Sequence, residues 1–228
     1  MNKLKTILFA VCSLVLVTTG MSVKADSGNF AGPYVGVTAS GYGIEAAGTA
    51  NSSTESEDST STTNDALKIG AVAGVVGLEA GYALPLGSAM LIDLGATYHS
   101  GEAKIDHDND DGDGGGAVAF MIDDLVTFYV APTLVLSDTS SLYVKVGLSE
   151  ADTGVTGDIT TPGKLSGTTW AIGTRTVLDS GVFIRTEAGY TDYNGISAHG
   201  KGTNIQSSST YSAEPTIAFG TVSLGFRF

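Results

Sequence analysis

Five aspartates crowd one short stretch of the chain: Asp106, Asp108, Asp110, Asp111 and Asp113, with glycines at 112, 114, 115 and 116. Clustered carboxylates suit hard cations such as Ca²⁺. Asp106, Asp108 and Asp110 take alternating positions of a calcium loop, but Asp111 stands where the loop needs glycine, and no Glu occupies the twelfth position. The pattern supports weak attraction of cations and no dedicated metal site. A second group, His99-Ser100 with Glu102, has the residue types of nucleophilic catalysis. A working triad needs its members to converge. On an alternating strand His99 and Ser100 point to opposite faces, so the group does not assemble locally. His107 and His199 have no Ser/acid pattern beside them. No catalytic residue and no cofactor is expected.

A third set of chemical groups is spread along the chain. Glu79, Asp93, Lys145, Arg175, Arg185, Glu187 and Arg227 each sit in a segment where apolar residues recur at every second position. A period of two marks β-strands with two distinct faces. Leu142, Val144, Val146 and Leu148 alternate with Tyr143, Lys145, Gly147 and Ser149. Val182, Ile184, Thr186, Ala188 and Tyr190 alternate with Phe183, Arg185, Glu187 and Gly189. Ala218, Gly220, Val222, Leu224, Phe226 and Phe228 share one face of the last segment, and Arg227 lies on the other. In every case the ionic residue falls with glycines and small polar residues, and the opposite face is almost uncharged. The facing of the first, Gly-rich segment near Tyr34 to Ile44 is ambiguous.

Eight strands are expected, at about 32–45, 66–84, 89–104, 117–136, 141–151, 167–178, 181–195 and 215–228. The connections alternate in length. Residues 85–88, 137–140 and 179–180 are short turns, and 46–65, 105–116, 152–166 and 196–214 are long. Loop 46–65 is polar, acidic and nearly free of apolar residues, so it reads as mobile.

The first residues set the compartment. Lys3 and Lys5 precede an apolar run containing Leu8, Phe9, Val11, Leu14, Val15, Leu16 and Val17, and Val23-Lys24-Ala25 offers a cleavage site before Asp26. That is the three-part layout of a secretory signal, too short to span a bilayer comfortably. Residues 1–25 therefore read as a cleaved signal peptide and 26–228 as the mature domain. The lone Cys12 lies in the signal, so no disulfide is expected. Cleavage removes three lysines and no acid, taking the formal charge from -13 to -16. Such a balance argues against nucleic acid, whose phosphates need basic partners. Charged residues make up only 15% of the chain, well below the quarter or so usual in soluble domains.

A soluble barrel hides its apolar face and shows a polar one, whereas a membrane barrel does the reverse. Arg or Lys against lipid costs about 2–4 kcal/mol at mid-membrane, so the ionic face must be the inner one. Tyr82, Tyr98, Trp170, Tyr190, Phe226 and Phe228 lie near strand ends on the apolar face, as rings at a lipid–water boundary do. The fold class is thus all-β: an eight-stranded antiparallel up-and-down transmembrane β-barrel.

The chain ends Val222-Ser223-Leu224-Gly225-Phe226-Arg227-Phe228, which resembles the C-terminal targeting signal of bacterial outer-membrane barrels, with Val222, Leu224, Phe226 and Phe228 as its apolar positions. Phe30-Ala31-Gly32-Pro33-Tyr34-Val35-Gly36-Val37 resembles the opening of the OmpA/OmpX-like small outer-membrane barrels, a group that includes opacity-type surface proteins. The resemblance implies recognition by the barrel-assembly machinery and residence in the outer membrane as a monomer, with lipid and lipopolysaccharide as neighbours. Cations held by the acidic loops can bridge to anionic lipopolysaccharide. Eight strands enclose only enough room for side chains. The expected function is noncatalytic: envelope structure, or surface interaction and adhesion through acidic external loops. A small gated, porin-like channel is the alternative.

Overall fold

The computed structural model describes residues 26–56, 59–107, 118–202 and 209–228. Its strands are β1 (Gly32–Ser56), β2 (Ser59–Pro85), β3 (Met90–Ser100), β4 (Ala103–His107), β5 (Val118–Val135), β6 (Ser140–Thr156), β7 (Leu165–Val177), β8 (Val182–Tyr193), β9 (Ile196–His199) and β10 (Thr210–Arg227). Neighbours along the sheet run β1-β2-β3-β5-β6-β7-β8-β10, and β10 pairs back onto β1. Every pairing is antiparallel. β4 pairs with β5 as β3 does, and β9 pairs with β10 as β8 does. Each is the continuation of the strand before it after a short break. The result is the closed eight-stranded up-and-down barrel expected from the alternation.

Following paired residues around the wall from Val35 leads through Ala80, Ala96, Phe128, Leu148, Thr168, Asp192 and Thr216 to Glu45. The circuit rejoins β1 ten positions beyond its start, between Val35 and Glu45. With eight strands that stagger tilts them by about 40° from the barrel axis. At that tilt about ten residues cross a 25 Å apolar band, so the 25-residue β1 runs well past it.

Three tight turns close one end. The backbone N–H of Leu86, Leu136 and Leu178 donates to the carbonyls of Met90 (2.8 Å), Ser140 (2.9 Å) and Val182 (2.7 Å). The third turn carries left-handed backbone at Ser180 (φ 69) and Gly181 (φ 86), a conformation glycine adopts freely.

The wall has the expected two faces. On β6, Tyr143, Lys145, Gly147 and Ser149 are buried, while Leu148 is 69% exposed. β1, ambiguous in sequence, turns Tyr34, Thr38, Ser40, Tyr42 and Ile44 inward and Val35 and Val37 outward. The outer surface carries Val72, Val76, Leu78, Phe128, Ile172, Val222 and Leu224, all exposed. So continuous a band of aliphatic and aromatic groups is costly in water and favourable in hydrocarbon. The closed wall pairs each strand with a neighbour on both sides, with a register shift on β5 between Asp123 and Val126, so its ladder is met within the sheet as lipid requires.

Away from the turns the polarity reverses. Tyr42, Ile44, Val75, Ile122, Leu125, Ala151, Leu165, Tyr193 and Ile217 form an apolar cluster inside the wall. On the outside at that end stand Glu45, Glu150, Asp152 and Glu214, all exposed. This is the polarity of a soluble barrel, so the wall here projects into water beyond the bilayer.

The long connections are shorter than the sequence indicates. The expected mobile loop 46–65 is instead largely strand: β1 and β2 stay in register from Gly32↔Ala83 out to Ser56↔Ser59. The segment lacks apolar alternation, but its serines and threonines satisfy a ladder on backbone bonds alone, and threonine favours strands. Likewise β6 runs on to Thr156 and β10 begins at Thr210. Of the expected loop 105–116, residues up to His107 belong to β4, and 108–117 lie outside the described residues.

The position of the apolar band is testable. Ile172→Arg, in mid-band on β7, should destabilise the bilayer-folded protein by about 2–4 kcal/mol in reversible urea unfolding. Glu150→Arg, at the reversal on β6, should change it by about 1 kcal/mol or less.

Candidate functional site

The chemically richest region is the lumen, and it is layered. At the turn end, residues 26–31 fold beneath the opening. Ser27 donates from its hydroxyl to Gly87 O (2.6 Å) and from its backbone N–H to Ser88 O (2.9 Å), and Asn29 Nδ2 donates to Asp138 O (3.1 Å). Phe30 enters the mouth, fully buried among Tyr34, Ala83, Leu91, Val135, Val177 and Phe183. Arg227 holds this segment by donating to the carbonyls of Gly28 (3.2 Å) and Ala31 (3.1 Å).

Above the mouth lies an ionic layer. Arg175 Nη2 meets Asp93 Oδ1 at 2.9 Å, and Arg185 meets both Glu79 Oε2 (3.1 Å, from Nη1) and Asp93 Oδ2 (3.6 Å, from Nη2). Thr133 donates a further hydrogen bond to Asp93 (2.9 Å). Lys145 Nζ pairs with Glu187 Oε1 at 2.6 Å, and Tyr143 donates to Glu187 Oε2 at 2.8 Å. All six ionic side chains are nearly or wholly buried.

Aromatic rings complete the layer. The Arg175 guanidinium lies 4.6 Å from the Tyr34 ring centre and 5.1 Å from that of Phe183. Arg185 lies 4.7 Å from Tyr143, and the Lys145 ammonium 4.5 Å from Tyr129. Cations over desolvated ring faces gain attraction that water would otherwise supply. The rings fit because glycine stands opposite them. A Cβ on Gly81 would meet the Tyr34 hydroxyl, one on Gly95 the Tyr129 hydroxyl, and one on Gly173 the Tyr143 ring.

Beyond the ions comes a layer of hydroxyls. Thr127, Ser149, Thr169 and Thr191 bond in sequence across β5, β6, β7 and β8, at 2.6, 2.5 and 2.7 Å. Opposite them Ser40 lies 3.2 Å from His99 Nε2 and 2.8 Å from Thr221 Oγ1. A cavity of about 20 Å³, room for about one water molecule, lies between the two layers and is lined by Thr38, Glu79, His99, Lys145 and Glu187 among others. The apolar cluster caps it on the far side.

Of the ionic residues singled out in the sequence, the structure joins Glu79, Asp93, Arg175 and Arg185 in one cluster and Lys145 and Glu187 in a second pair. Arg227 stands apart at the mouth. Val222, Leu224, Phe226 and Phe228 face outward, all exposed. His99 is buried, whereas Ser100 and Glu102 are exposed, so that trio does not converge. Asp106 belongs to β4, and Asp108, Asp110, Asp111 and Asp113 lie outside the described residues. Among the described residues no three His, Cys, Asp or Glu side chains are placed to hold a metal ion. Alternation puts Tyr129, Tyr143 and Phe183 on the charged face, but nothing in the sequence gives either them or Tyr34 a part in the ionic layer. The 26–31 plug has no periodicity to betray it.

The outer membrane protein beta-barrel domain family matches the chain over residues 12–213. No curated protein matches it. Among solved structures, the outer membrane protein OprG from Pseudomonas aeruginosa is 11% identical, with 91% of this chain and 100% of that chain covered and a TM-score of 0.52. The outer membrane protease OmpT from Escherichia coli is 11% identical over 92% of this chain and 100% of its own, at a TM-score of 0.47. The attachment invasion locus protein Ail of Yersinia pestis is 9% identical over 85% and 99%, at 0.41. At such identities the likeness to OprG is one of fold.

Removing one member of the ionic layer leaves its partners charged and buried. Asp93→Ala should cost about 3–5 kcal/mol in urea unfolding. Combining it with Arg175→Met should cost less than the two single losses added together, because the orphaned charge goes with it.

Proposed function

The chain belongs to the outer membrane protein beta-barrel domain family, and from that premise we propose that it is a noncatalytic, closed barrel serving the bacterial envelope as a structural element and as a carrier of surface-exposed strands. The observation that carries the proposal is the filling of the lumen. From the plugged mouth through the ionic layer and the hydroxyl layer to the apolar cluster, side chains occupy the axis. The cavity between the ionic and hydroxyl layers, about 20 Å³, holds about one water molecule and not a hydrated ion.

The same arrangement supports a stabilising role for the six buried ions. They fix the relative positions of β2, β3, β6, β7 and β8 from inside, where water does not weaken them. Interaction with other molecules then falls to the projecting end. Its outer face carries Glu45, Glu150, Asp152 and Glu214, and Lys164 pairs with Asp152 at 2.9 Å. This acidic rim stands at the level of lipopolysaccharide headgroups, with divalent cations as the natural bridge between the two sets of anions. Residues 1–25 act as the export signal, and the outward Val222, Leu224, Phe226 and Phe228 as the stretch that the assembly machinery reads.

Planar-bilayer recording tests the closed lumen. The purified barrel should give a flat current trace over the usual voltage range. Reproducible unitary steps would establish the channel instead.

A further inference from the structure

Five buried polar atoms of residues that line the mid-lumen cavity have no hydrogen-bond partner in the protein: Thr38 Oγ1, Glu79 Oε1, His99 Nδ1, and Nε and Nη2 of Arg185. Thr38, Glu79, His99 and Arg185 are 5%, 4%, 7% and 2% exposed. Leaving such atoms unsatisfied costs the desolvation of the group with no return, most for a charged one. The sheet register sets Thr38, Glu79 and His99 close together. Thr38, Gly77 and His99 form one paired row, and Glu79 is the next inward residue along β2 from Gly77. A Cβ on Gly77 would meet the Tyr98 carbonyl first, and then Thr38 Oγ1 and His99 Cδ2, each at 2.8 Å, so only glycine fits in this row between Thr38 and His99. Glu79 Oε1 lies on the adjoining side, beside Gly36.

We propose that this cavity is a built site for one internal water molecule, which donates to Glu79 Oε1 and bonds Thr38 Oγ1. The volume, about 20 Å³, admits one water and little more. Charge decides between water and a small cation such as Na⁺, for which a carboxylate and a hydroxyl would also serve. Among the described residues the buried layer holds three carboxylates, Glu79, Asp93 and Glu187, and three cations, Arg175, Arg185 and Lys145. It is balanced, and Lys145 and Arg185 both line the cavity. A further positive charge would enter a desolvated site with no anion left to compensate it, whereas water enters at no such cost. Ser40 meets His99 at Nε2. The water supplies Glu79 Oε1 and Thr38 Oγ1 with the partner the protein does not provide.

A crystal structure of the mature barrel at a resolution that shows ordered solvent tests this, with a second crystal grown in a rubidium salt in place of sodium. The expected result is a density peak within hydrogen-bond reach of Glu79 Oε1 and Thr38 Oγ1, and no anomalous rubidium signal there. The Thr38→Val barrel should show that peak displaced or lost. Anomalous rubidium density at the site, the absence of any peak, or a peak unmoved by Thr38→Val would each overturn the proposal. None of these outcomes alters whether the lumen conducts.

Discussion

Hydrocarbon accepts no hydrogen bonds, and that one fact organises the molecule. It requires the sheet to close, which the β1–β10 pairing does. It requires the outer surface to be apolar, which turns Glu79, Asp93, Lys145, Arg175, Arg185 and Glu187 inward. Eight strands leave no room inside for those charges to keep their water. They must then satisfy one another, and the Arg175–Asp93–Arg185–Glu79 cluster and the Lys145–Glu187 pair are how they do it. The tyrosines and the glycines follow in turn. Rings lie over the guanidinium groups, and glycines stand where those rings need space.

The reversal of polarity along the wall shows the same constraint by its release. Inside the bilayer the lumen is ionic and the outside aliphatic. Beyond it the lumen becomes aliphatic, at Ile44, Val75, Ile122 and Ile217, and the outside acidic, at Glu45, Glu150 and Glu214. A single strand such as β1 takes part in both regimes without a break, because a period of two serves either arrangement. What changes is which of its two faces carries the apolar residues.

Much of this was written in the alternation. Strand faces were legible because lipid imposes a sharp contrast between Leu148 and its neighbours Gly147 and Ser149, and the ionic residues could be assigned to the inner face one at a time. Pairing among them was not legible: which acid meets which base depends on the ten-residue stagger, and that is a property of the closed sheet. Alternation was silent where polarity did not vary. The Ser/Thr-rich stretch of 46–65 reads as loop, yet its backbone continues the hairpin. The plug at 26–31 is held by backbone carbonyls and one buried ring, Phe30, which no pattern of spacing announces.

The central claim is that hydrocarbon surrounds the lower wall and water the upper. Spin labels placed one at a time on the outward positions of β6 read it most directly, by their collision rates with oxygen, which concentrates in lipid, and with a water-soluble nickel chelate. Labels at Leu142, Val144, Val146 and Leu148 should favour oxygen, and those at Glu150 and Asp152 should favour nickel. Nickel access at Val144 and Val146 equal to that at Asp152 would contradict the account.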